Sequence, residues 1–174
     1  MNGFEQELKD RVLNVIPHAS IYGLNPIDDW ESVEINLRED TNMRGISPYI
    51  ETEALIKSKS AVAGVLVNGV IASKDKSVSV IHEFMQTGNF EKIQTSNNIV
   101  LGRLLARKLN VDVGDKISLM LPDTSSSFAG YFPKSKVFNI SGIFNIGSKD
   151  IDETLAYISL ENASILTGLK NQVH

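Results

Sequence analysis

Cysteine is absent from the chain. Disulfides, thiol nucleophiles and Cys-based zinc sites are therefore excluded, while the compartment stays open. A basic excess is also missing: 17 Lys and Arg stand against 21 Asp and Glu, for a net charge of −4. Nucleic-acid binding needs clustered cations, and Lys57, Lys59, Lys74 and Lys76 are too dispersed to form a stripe. No apolar run approaches the roughly 20 residues that cross a bilayer. The opening MNGFEQELKD lacks the basic-then-apolar pattern of a secretory signal. Catalytic signatures are wanting as well. There is no Gly-rich Lys-Ser/Thr phosphate loop, and Ser125, Ser126 and Ser127 sit in no Gly-x-Ser-x-Gly elbow. His18, His82 and His174 are not at metal-ligand spacing. Asp150, Asp152 and Glu153 lack the pattern of a calcium loop and are expected to be turn chemistry. Glu31, Glu34, Glu39 and Asp40 are expected to form a solvated helix face. No nucleophile, base and orienting group can be named together, so no catalytic residue, cofactor or metal site is assigned.

What is present is an ordinary globular composition, with 42% hydrophobic and 22% charged residues over 174 positions. That is enough chain for one domain or two small ones with a real core. Phe4, Leu8, Val12, Val15 and Ile16 follow one helical face, so residues 4–16 are expected to be an amphipathic helix ended by Pro17. Residues 18–24 alternate as a short strand, Asn25-Pro26 marks a turn, and residues 28–38 are helical. Two strands are expected at 49–57 and 61–71, with Asn68-Gly69 as a turn or bulge. Residues 74–86 are expected as a short helix or irregular loop, and 89–97 as a polar connection. The most organised stretch starts at Asn98. It runs as a strand at 99–101, a helix at 102–109 with Asn110 left-handed at its end, and a strand at 116–121. After a polar insert come a strand at 137–144 with a bulge at Gly142, turn residues within 146–154, a strand at 155–160 and a helix at 161–167 capped by Gly168.

The segments LGRLLARKLNVDVGDKISLMLP (101–122), FPKSKVFNISGIFNIG (132–147) and DETLAYISLENASILTGL (152–169), with the opening MNGFEQELKDRVLNVIPHA, closely resemble the extracytoplasmic domain of the LolC/LolE family. These are lipoprotein-releasing ABC transporter subunits, in the wider group that includes MacB and FtsX. The resemblance implies an α+β, two-lobed MacB-like core: a mixed α/β membrane-proximal lobe with an inserted mostly-β lobe. Residues 1–46 would be the N-terminal helix and part of the membrane-proximal lobe. Residues 47–169 would be the inserted lobe, and 170–174 the start of the return. It further implies a periplasmic location at the inner membrane, with transmembrane anchors outside this chain and a membrane-proximal lobe that continues beyond it. A partner permease subunit of the LolE or LolC type and a LolD-type cytoplasmic ATPase would complete the complex. The domain itself would be non-enzymatic.

The insert at 123–136 corresponds in that family to a protruding hairpin that grips the periplasmic lipoprotein carrier LolA. Its composition suits a contact surface. Ser127, Phe128, Gly130, Tyr131, Phe132, Pro133 and Lys134 are the implied contact residues. Aromatics in a polar loop are costly to leave in water unless a partner covers them, and Lys134 and Lys136 are placed to meet an acidic rim. The other reading is that the aromatics fold back over the end of the sheet. The Gly-Tyr-Phe-Pro centre is closer to the LolC type than to LolE, with a single hybrid subunit as a third possibility. Two further alternatives stand: a MacB-like or FtsX-like domain serving another partner, and a small-molecule-binding α/β domain.

Overall fold

A computed structural model describes residues 13, 15, 17, 19–39, 43, 45–122, 134–169, 172 and 173. Its centre is a seven-stranded mixed sheet. In chain order the elements are α1 (Trp30–Arg38), β1 (Tyr49–Lys57), β2 (Val62–Val70), α2 (Ala72–Asp75), β3 (Met85–Gly88), β4 (Asn98–Gly102), α3 (Arg103–Leu109), β5 (Lys116–Met120), β6 (Ser135–Phe144), α4 (Lys149–Thr154), β7 (Leu155–Ser159) and α5 (Leu160–Thr167). Short 3-10 turns at Ile81–Phe84 and Phe90–Gln94 flank β3.

The strands run β3-β6-β4-β7-β2-β1-β5, and β5 also pairs with β6. That last pairing closes β6, β4, β7, β2, β1 and β5 into a ring, to which β3 adds along β6. Pairing is parallel for β2–β7 and β4–β6 and antiparallel elsewhere. Every ring strand contributes to one buried cluster, for example Ile56, Val67, Leu101, Leu119, Phe138 and Ile158. The face bearing these residues is therefore the inner one, and α3 and α5 add Leu105, Leu109, Ala163 and Leu166 to it. The opposite face carries Val100, Phe144 and Tyr157, covered by Phe90, Ile93 and Ile81. The alternation Ile99, Val100, Leu101 shows the period-two rule in one strand, with the middle residue on the outer cluster.

The bulge expected at Gly142 is present. Ile99 pairs with Ile140 but Val100 with Gly142, so Ser141 is the extra residue. The slip moves the inward set from Phe138 and Ile140 to Ile143, and leaves Phe144 outside. A Cβ on Gly142 would lie 2.3 Å from Met85 Cε, the movable end of a side chain, and 3.1 Å from the Thr87 carbonyl oxygen. The bulge or turn expected at Asn68-Gly69 is absent. Both residues pair regularly with β1 and β7, and the glycine is needed because a Cβ would sit 2.1 Å from Ala163 Cβ on α5.

Helix ends follow local chemistry. Asp29 caps α1 by accepting from Ser32 N at 3.2 Å. Asn110 closes α3 in the left-handed region at φ 53°, and Gly168 does so for α5 at φ 83°. Further expectations fail, among them a helix or loop through residue 86, since strand β3 begins at Met85. Residues 19–24 form no strand: β propensity there meets no pairing partner. Residues 90–94, expected to be polar connection, bury Phe90 and Ile93 in a 3-10 turn. The 146–154 stretch contains the helix α4 rather than turns alone. Asp152, 1% exposed, accepts from Ile146 N and Gly147 N, both at 2.9 Å, and so builds the corner before that helix. Of the expected 4–16 helix, Leu13 and Val15 are described, both are helical, and Val15 is buried; its other positions lie outside the described residues. No helix among the described residues is long and apolar enough to cross a membrane.

Candidate partner-binding site

The polar insert leaves and rejoins the sheet through a two-stranded stem. Strands β5 and β6 pair in register from Lys116↔Asn139 to Met120↔Ser135. One further bond, Leu121 N to Lys134 O at 3.0 Å, closes the stem. The sequence at this point dictates the exit: Pro122 has no N–H to extend the ladder, and Leu121 is buried while Pro122 is exposed. Ser127, Phe128, Gly130, Tyr131, Phe132 and Pro133 lie outside the described residues, so of the expected contact residues only Lys134 is described.

The stem is tied to α5. Lys136 Nζ donates to Asn162 Oδ1 at 2.6 Å and lies 5.9 Å from the centre of the Phe138 ring. Lys134 Nζ reaches the Thr167 carbonyl at 3.4 Å, at the helix C-terminus, where a cation is favoured. Asn162 is 5% exposed, and its Nδ2 donates to Ser96 O at 3.2 Å, ahead of β4. Half-buried Lys136 is thus occupied within the fold, whereas Lys134 is exposed and, among the described residues, held by one long bond. Sequence reasoning missed Asn162. The available signal was Ser159, whose hydroxyl accepts from Asn162 N at 3.2 Å and caps α5, fixing which side of the helix faces the stem.

The acidic residue Glu34, by contrast, is part of the fold's own ion pairing. Glu34, expected on a solvated face, is 7% exposed and bound by Arg38 Nη2 at 2.6 Å and by Lys74 Nζ. These side chains cover it, rather than depth in the core, and Lys74 also stands 4.8 Å above the Trp30 ring. The Lys74 ammonium above all, then the Arg38 guanidinium, holds the Glu34 carboxyl below the usual range against the opposing effect of burial. Among the described residues no group of His, Asp and Glu is arranged to hold a metal ion. His82 is described and half-buried; His18 and His174 lie outside the described residues.

No family model matches the chain. It is 31% identical to the lipoprotein-releasing system transmembrane protein LolC of Xylella fastidiosa over a 182-residue alignment, which takes in 100% of this chain and 44% of that protein. It is 32% identical to LolC of Neisseria meningitidis serogroup B (99% of this chain, 42% of that protein). Identity to LolE of Haemophilus influenzae is 31%, over 99% of this chain and 43% of that protein. The chain thus spans less than half the length of these relatives. Among solved structures, the extracellular domain of the noncanonic ABC-type transporter YknZ aligns with TM-score 0.55 at 11% identity, covering 81% of this chain and 67% of that one. The periplasmic region of MacB from Actinobacillus actinomycetemcomitans aligns with TM-score 0.50 at 9% identity, covering 82% and 60%. At such identities these two matches concern the fold, and the mixed helix–strand architecture is of their kind.

Proposed function

We propose, from the 31–32% identity to LolC and LolE proteins along the whole of this chain, that it is the periplasmic domain of a lipoprotein-releasing ABC permease subunit, with loop 123–136 as the hook that holds the carrier LolA. The single observation that carries the reading is this similarity over the whole of the present chain. The stem geometry supports the hook. A long polar insert with three aromatics emerges from adjacent antiparallel strands whose root is fastened to α5 by Lys134 and Lys136. A root fixed in this way presents the insert at lower ordering cost than a free tether would.

On this reading the domain does no chemistry. Residues 1–46 belong to the membrane-proximal lobe, 47–169 to the inserted lobe, and 170–174 begin the return. Membrane helices outside the chain anchor it to the inner membrane. A LolD-type ATPase supplies the energy, a second permease subunit completes the complex, and the lipoprotein passes to LolA. Aromatic anchors dominate such contacts. Phe132→Ala and Pro133→Glu should therefore weaken LolA binding by about tenfold or more, equal to about 1.4 kcal/mol, with an unchanged circular dichroism spectrum. Calorimetry with LolA from the same organism decides. Unaltered affinity in both variants would remove the hook assignment. Absence of binding by the folded wild type would shift the reading toward a MacB-like or FtsX-like domain with another partner.

A further inference from the structure

A cavity of about 310 Å³ lies on the outer face of the sheet, against β1, β2, β7 and α2 and away from the β5–β6 stem. That volume is at the small end of ligand pockets, which run from about 300 to 1,000 Å³. Its walls are apolar, with Leu66, Val70, Val78, Ile151 and Leu155 among them, and exposed Ser20 and Tyr22 stand at its mouth. Three of the lining residues carry a buried polar atom without a hydrogen-bond partner among the described residues: Tyr49 Oη, Asn68 Oδ1 and Asp75 Oδ2. Ser20 and Tyr22 flank the Tyr49 phenol without completing a bond of standard geometry. An orphaned buried polar group costs about 1–3 kcal/mol, and native folds hold few of them. Their convergence on one cavity is not a requirement of packing.

The chemistry of the lining selects the ligand. Among the described residues no Lys, Arg or His lines the cavity, whereas the Asp75 carboxyl does. Asp75 is 5% exposed, and the Tyr157 phenol beside it is raised first by burial and then by the Asp75 carboxyl. Asn68 Oδ1 and an ionised Asp75 Oδ2 accept only. Tyr22 and Tyr49 meet edge to face, 6.2 Å between centroids, and with Tyr157 bring aromatic surface to the same space, which favours a cation. We propose that this cavity is a binding site for a small primary alkylammonium ion, its nitrogen donating to Asp75 and Asn68 and its chain lying along Leu66, Val78 and Leu155. The site is separate from the carrier-binding reading and stands or falls without it.

Hexylammonium chloride, 1-hexanol and sodium hexanoate are suitable probes in calorimetry and thermal denaturation. Hexylammonium should bind at least about tenfold more tightly than hexanol, and hexanoate should not bind. Asp75→Asn should remove that preference and leave hexanol affinity unchanged. Val78→Trp, which fills the apolar wall, should abolish binding of both and serves alone if Asp75→Asn does not fold. Equal affinity for hexanol and hexylammonium, full hexylammonium affinity in either folded variant, or no saturable binding at millimolar concentrations would each overturn the site.

Discussion

Asp75 and Glu34 illustrate opposite fates for a carboxyl under cover. Burial without a cation pushes the Asp75 carboxyl up to about 7 from its ordinary 3.8, while Lys74 and Arg38 draw Glu34 down. The folded state therefore keeps the Asp75 proton when the unfolded chain has released it. Its contribution to stability is complete below about pH 4 and is lost as the pH rises through about 7, by at most about 4 kcal/mol. In urea denaturation, Asp75→Asn should be more stable than wild type at about pH 8 and should flatten the decline from about pH 4. A wild-type-to-variant difference that is the same at both ends of that range would show that the carboxyl is not titrating in the fold. Glu34 contributes above its ordinary range, and that part is lost as the pH falls. Because Arg38 is mostly exposed and Lys74 partly so, Glu34→Gln should cost only about 1 kcal/mol. Its urea midpoint at neutral pH is the check.

At the scale of elements, the contact between β2 and α5 leaves no room for a methyl group at Gly69. Gly69→Ala should destabilise by about 1–3 kcal/mol, and Ala163→Gly in the same chain should recover part of that. A four-corner cycle in which the two changes simply add would refute the contact as the cause. This glycine also shows where sequence reasoning stops. Asn68-Gly69 has turn composition, but the residue that demands the glycine lies 94 positions further on, and no local pattern carries that information. Six of the seven strands, by contrast, were legible, β3 having fallen at the end of the stretch expected as a short helix or loop. The alternation in YIETEALIK gives β1 with its observed bounds, and Gly142 marked the β6 bulge. Residues 19–24 misled because propensity is not pairing. Phe90 and Ile93 have the i, i+3 spacing that was there to be read amid polar neighbours. For the candidate site, the loop's composition was visible, but the fastening of its root to Asn162 and Thr167 depends on a helix packing beside the stem.

For the whole molecule, the insert is a connection between strands that already pair. Loop-closure entropy varies by only about 0.6 kcal/mol per doubling of length. Replacing residues 123–133 by a short Gly/Ser turn should thus change stability by less than about 1 kcal/mol, while carrier affinity should vanish. Denaturation and calorimetry on the same preparation test both halves, and a collapse of stability would mean that the insert packs on the sheet.

The position of β7 sets a timetable for synthesis. It lies between β4 and β2, although it follows both in the chain. Until residue 159 has left the ribosome, those two strands lack the neighbour that joins them, and the hairpin of β1 and β2 has no route to the pair of β4 and β6 except through β5. Non-local pairing of this kind is slow to form. A nascent chain halted after α4 should remain protease-sensitive, and one extended past α5 should acquire resistance as a unit.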